Sequence, residues 1–208
     1  MGRVTTTTPG STSGRTRLAP DERRAQLLAL GVRLLATRSL DELSVDLLME
    51  EAGISRGLLY HYFGSKVGFH QAVVQYAADE LYAQTAPPAG GDPLDRLLVS
   101  MEAYVDYVEA NHAAYRSIVK AAASGNDAMR TVYDTTFAAL ADRFFHEDPD
   151  GEILPDTPAH RLLVRAWQAM VEELVLAWCE DPAGLGRADL LQVITGSLPV
   201  LLGTLPAE

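Results

Sequence analysis

The chain has 208 residues, 48% of them hydrophobic, and a formal net charge of -11. Its single cysteine, Cys179, excludes an intrachain disulfide and a thiolate metal cluster, and fits a reducing compartment. No signal-like segment and no run of about 18 apolar residues occurs, so a cytoplasmic protein that does not span a membrane is expected.

The charge is unevenly divided. Residues 1–70 hold nine Lys/Arg against seven Asp/Glu, a net +2, whereas the remainder holds eight against 21, a net -13. A mildly basic head on a strongly acidic body suggests an anion-binding module joined to a domain with another task.

In chain order, residues 1–17 are rich in Thr, Ser, Gly and Arg and are expected to form a disordered arm. From residue 18 the pattern is helical. Leu27, Leu28, Val32, Leu34 and Leu35 recur at three- and four-residue intervals after a Pro20-Asp21-Glu22 start. Ser44 can cap a short second helix broken at Ala52-Gly53, and Ser55 can cap a third from Arg56. Gly64-Ser65 ends that helix and opens a fourth, from Lys66 to about Ala83. Asp92-Pro93 and Thr157-Pro158 are cap-and-proline starts for the fifth and eighth helices. A sixth is expected over about 112–123 and a seventh from Asp127. The eighth should end near Cys179, and a ninth should stop short of Pro199. No stretch alternates with period two, so the fold class is all-α with about nine helices.

The segment "GISRGLLYHYFGSK" carries the chemistry. Two short helices joined by an Ala-Gly-Ile turn form a helix-turn-helix, whose second helix enters the DNA major groove. Val45, Leu48, Ala52, Ile54 and Leu59 fall on the packing side, which leaves Ser55, Arg56, Gly57, Leu58, Tyr60 and His61 on or near the outer surface. Arg56 can donate two hydrogen bonds to guanine, Gly57 permits close approach, and Leu58 can meet a thymine methyl. Tyr60 and Tyr62 can donate to phosphate oxygens. Lys66 and the amides after Ser65 offer a cation and a helix N-terminus, and Ser44 offers the same at the preceding helix.

The run "LSVDLLMEEAGISRGLLYHYFGSK" resembles the DNA-binding segment of the tetracycline-repressor (TetR) family. The likeness rests on Gly53, the Leu59-Tyr60 pair, Tyr62-Phe63 and Ser65-Lys66. It implies an N-terminal domain at 18–66 in which Ser44, Tyr60, Tyr62 and Lys66 contact phosphate or groove while Arg56, Gly57 and Leu58 face bases. Two features depart from the family's pattern: Met49 stands where a small residue is usual, and Gly68-Phe69-His70 follows Lys66.

The resemblance also implies that residues 67–208 form an effector-binding and dimerisation domain. The residues support this independently. Leu163, Trp167, Val171, Leu174 and Trp178 on the eighth helix, with Leu191, Ile194 and Leu198 on the ninth, make stripes wider than one buried face needs, so a homodimer through these positions is expected. Tyr104, Tyr107, His112, Tyr115, Met129, Tyr133, Phe137, Trp167 and Met170 combine apolar bodies with polar tips, the composition of a pocket for an apolar or aromatic effector.

The expected function is a ligand-responsive transcriptional regulator, a repressor, that binds a pseudo-palindromic double-stranded operator as a homodimer. An activator of the same fold and a protein-binding adaptor that has lost DNA binding are the alternatives. An enzyme is not expected, nor a cofactor or metal: His146 lies beside a Pro/Gly loop and no H-x-x-x-H spacing occurs.

Overall fold

The computed structural model describes residues 19–146 and 154–205. The expected arm at 1–17, Leu18 and most of the loop after His146 lie outside the described residues. Within them every regular element is helical. The order is α1 (Pro20–Leu34), a 3-10 turn (Leu40–Glu42), α2 (Val45–Ala52), α3 (Arg56–Phe63), α4 (Lys66–Gln84), α5 (Pro93–Ala110), α6 (His112–Ala123), α7 (Asp127–His146), α8 (Pro158–Glu180) and α9 (Arg187–Leu202). No helix among the described residues is long and apolar enough to cross a membrane.

The helix starts follow from side chains that satisfy otherwise unpaired N-terminal amides. Ser44 accepts from the Leu47 amide at 3.1 Å, Ser55 from Leu58 at 3.3 Å, and Ser65 from Gly68 at 2.9 Å. Asp92 caps α5 and Thr157 caps α8. At α7 the side-chain cap is Asn126, whose Oδ1 accepts from the Met129 amide at 3.2 Å, one residue before the expected start. Gly53 ends α2 in the left-handed conformation, φ 62°.

The ninth helix corrects the expectation that it stops before Pro199: it continues to Leu202. Proline lacks an N–H to donate to the carbonyl four residues earlier, but here that loss falls in the last turn. The turn still closes, because the Gly203 amide donates to Pro199 O at 2.9 Å.

The buried side chains form two cores. The first joins α1, α2 and α3 through Leu27, Leu35, Leu43, Leu48 and Leu59, and takes in Phe69, Val73 and Val74 from the first half of α4. The second gathers Val105, Val108, Val164, Val175, Leu190 and Ile194 from α5, α8 and α9, with Leu81 from the far half of α4. At about 1.5–3 kcal/mol per fully buried aliphatic or aromatic side chain, α4 is anchored strongly at both ends. Helix α6 is shared in the same way, since Ala114 lies in the first core and Tyr115 in the second.

Close helix crossings require two glycines. A Cβ on Gly31 would lie 2.5 Å from Val73 Cγ2, and one on Gly68 would lie 2.2 Å from the backbone oxygen of Phe63. Gly68 therefore sets how tightly α4 follows α3. His70 is buried and hydrogen-bonds Leu43 O through Nε2 at 2.9 Å, while Lys66 Nζ donates to Asp41 O at 2.9 Å. Burial is the main cause that lowers the His70 pKa, against the raising effect of the Leu43 bond. Met49 is half-buried and packs against the first core.

Candidate DNA-reading surface and effector cavity

Arg56, Gly57, Tyr60 and His61 are exposed and fall at i, i+1, i+4 and i+5 on α3, so they share one outward face. Arg56 forms a salt bridge with Asp46 of α2. Both side chains are well exposed, so the pair contributes little stability and Arg56 can exchange its partner. A Cβ on Gly57 would meet nothing within 4 Å, so packing does not require glycine there. Leu58 and Tyr62, four residues apart, are half-buried and pack against the first core, which leaves them at the shoulder of the face. The Ser44 and Ser55 hydroxyls are engaged as helix caps, and Lys66 is exposed at the start of α4.

The body contains a cavity of about 510 Å³ between α5, α7, α8 and α9, with Thr85 and Pro87 just beyond the end of α4 also on its wall. Of the nine side chains expected in a pocket, Tyr104, Phe137 and Trp167 line it. Tyr107, Tyr115 and Tyr133, again with Phe137, border a second space of only about 40 Å³. His112, Met129 and Met170 line neither. The reasons are physical: Met129 is 1% exposed inside the first core, and Met170 points outward at 42% exposure. Sequence reasoning missed Arg96, Ser100, Arg143, His160 and Gln168, all on the wall of the larger cavity. Arg143 carried a usable signal, because it follows Phe137 and Leu140 by six and three residues on the same helix side.

Beside the cavity lies a buried polar junction of four helices. Tyr115 donates to Glu172 Oε1 at 2.8 Å, Tyr133 donates to Glu172 Oε2, and the Tyr104 and Tyr115 hydroxyls are 3.2 Å apart. Burial raises the Glu172 carboxyl above its ordinary range and outweighs the two phenol donors, with Glu173 adding to the rise. Burial likewise pushes the Tyr104, Tyr115 and Tyr133 phenols up.

The expected dimer stripe needs revision. Trp167, Val171, Leu191, Ile194 and Leu198 are buried in their own chain, so they are not free to meet a partner. Trp167 Nε1 is held by Ser197 Oγ at 3.0 Å and Ile194 O at 3.2 Å. Leu163, Leu174 and Trp178 are half-buried. The outward face carries Leu162, Ala166, Met170 and Ala177 on α8, and Val193, Gly196 and Val200 on α9. Leu162 is 67% and Val200 71% exposed.

A helix-turn-helix head braced by a long helix thus stands on a helical body that holds a largely apolar cavity. The family model for the tetR family of bacterial regulatory proteins matches residues 27–73. A tetR-family transcriptional regulator from Streptomyces coelicolor shares the fold at a TM-score of 0.76 and 29% identity, over 89% of this chain and 82% of that one. The HTH-type transcriptional activator FasR of Mycolicibacterium smegmatis is 34% identical over 104 residues, 49% of this chain and 48% of FasR. The HTH-type transcriptional repressor KstR2 of the same species is 32% identical over 96 residues, 45% of this chain and 47% of KstR2. The matches thus span about half the length of these two relatives. Residues 27–73 carry the DNA-binding segment of the tetR family, and the chain is similar in fold to TetR-family transcriptional regulators.

Proposed function

We propose that the protein is an effector-responsive repressor that binds an inverted-repeat operator as a homodimer. The observation that carries this reading is the sharing of α4 and α6 between the two cores, which ties the position of the head to the packing around the cavity. An effector in the body favours one of two arrangements of those helices. The head separation then departs from the spacing of successive major grooves, about 34 Å. A coupling of about 1–3 kcal/mol is ordinary for such linkage, and it is reciprocal: DNA weakens effector binding by the same factor.

In the head, Arg56 and Gly57 read base edges, with Leu58 at the shoulder. Tyr60, Tyr62 and Lys66 position the phosphates, and Ser44 and Ser55 hold the helix N-termini that face them. Residues 18–66 supply the reading surface and 67–208 the effector and dimer surfaces. Repression is the simpler mode, because a dimer that releases DNA on binding effector acts by occupancy alone. Activation is the second reading, favoured by the name of FasR, and a promoter-reporter assay with and without the gene separates the two signs.

Affinity measured on operator variants at several salt concentrations tests the assignment of roles. Lys66→Ala is expected to weaken binding to all sequences and to lower the salt slope by about one unit. Arg56→Ala should flatten preference at one base pair per half-site, a discrimination of about 1–3 kcal/mol. Equal losses across every operator variant for Arg56→Ala would remove it as a reader.

A further inference from the structure

In a chain with 28 acidic and 17 basic residues, the walls of the larger cavity carry Arg96, Arg143 and His160, and no Asp or Glu among the described residues. The three basic groups also share one end. Arg96 is in the first turn of α5, Arg143 in the last turn of α7 and His160 in the first turn of α8. Tyr104, Phe137 and Gln168 lie six to eight residues further along the same helices. At 1.5 Å per residue the cavity therefore runs about 9–12 Å inward from this basic end. Its interior is apolar and aromatic, built by Tyr104, Phe137, Leu140, Trp167 and Val171.

Arg143 is held in place without being neutralised. Its guanidinium donates to Tyr82 O at 2.7 Å and Thr85 O at 3.0 Å, and it stacks 3.7 Å from the centre of the Tyr82 ring. No carboxylate of the described residues forms a salt bridge with it. Arg96 Nε donates to Pro88 O at 2.9 Å, which fixes that side chain beside the same opening. Arg143, anchored by carbonyls and a ring face, keeps its charge for an incoming anion, and guanidinium geometry suits carboxylate and phosphate oxygens. The surrounding protein is strongly acidic and repels anions at long range, so basic groups gathered at one cavity end favour selection by local contact.

We infer that the effector is an amphipathic anion, with a carboxylate or phosphate head at Arg143 and an apolar body of about 9–12 Å reaching Tyr104 and Trp167. This rests on reading the body as an effector domain, and it adds the charge class of the ligand.

The test is calorimetric titration of the full chain with four ten-carbon probes that differ only in the head: decanoate, decyl phosphate, decanol and decyltrimethylammonium. Decanoate or decyl phosphate should bind at least tenfold tighter than decanol, with the ammonium weakest; the tighter of the two anions identifies the head. Arg143→Gln should reduce the anion-to-decanol affinity ratio about tenfold, and Arg143→Lys, which keeps a cation but not the guanidinium fork, serves as a second variant with a smaller reduction should the first unfold. Decanol or the ammonium binding as tightly as the anions would overturn the anionic class while leaving the effector cavity standing. No heat with any of the four would overturn both.

Discussion

Gly57 and Gly68 lie eleven residues apart on successive helices and oppose each other in what they predict. Gly57 faces open space inside α3, so Gly57→Ala should stabilise the chain by about 0.5–1 kcal/mol through helix propensity, seen as a higher urea midpoint. The same methyl stands on the reading face, so operator affinity should fall. Gly68→Ala should instead destabilise by about 1–3 kcal/mol, because its Cβ would be driven against the Phe63 carbonyl. A neutral Gly68→Ala would mean that α4 can slide along α3 without cost. Glu172 gives the clearest pH test. Its folded pKa lies above the unfolded value near 4.5, so the folded state holds its proton more tightly. The stability this contributes is complete below pH 4.5 and is lost as pH rises through the folded pKa. Glu172→Gln keeps an amide among Tyr104, Tyr115 and Tyr133 and removes the titration. Its melting temperature relative to wild type should therefore rise with pH above 4.5, and a constant difference across that range would contradict the assignment.

At the scale of elements, the proposed dimer rests on the faces of α8 and α9. The apolar side chains left uncovered there include Leu162, Ala166, Met170 and Ala177 on one helix and Val193 and Val200 on the other. A charge placed among them should break the dimer without touching the core. Met170→Arg is expected to give a monomer with unchanged helical content by analytical ultracentrifugation, and a wild-type chain that is itself monomeric would refute the interface. The same two helices show how far periodicity reads. Caps at Ser44, Ser55, Ser65, Asp92 and Thr157 are local chemistry, and their positions were legible because each needs only a hydroxyl or carboxylate beside a helix start. An apolar stripe wider than one face shows that two surfaces are covered, but not which residue belongs to which. Trp167 and Ile194 turned inward because the indole N–H finds its acceptors on α9, a tertiary fact with no local signal. Pro199 suggests a stop by sequence, yet a proline in a final turn forfeits only one hydrogen bond.

Across the whole molecule, the reading surface was more legible than the cavity. Arg56, Gly57, Tyr60 and His61 follow from the spacing of one eight-residue helix, whereas the cavity wall draws on four helices that meet only after folding. Arg96 and Arg143 are 47 positions apart, and nothing in their neighbourhoods links them. In the proposed mechanism the two regions act together through α4 and α6: an amphipathic ligand in the body, a shift in shared helices, and a changed distance between two heads. That mechanism requires the heads to read DNA as a symmetric pair. Selection of bound duplexes from a random pool, sequenced after binding at two salt concentrations, tests that most directly. The mechanism predicts enrichment of an inverted repeat with half-site centres about one helical turn or a multiple of it apart, and sharper enrichment at the higher salt. Recovery of duplexes with no shared motif, bound only at low salt, would contradict it.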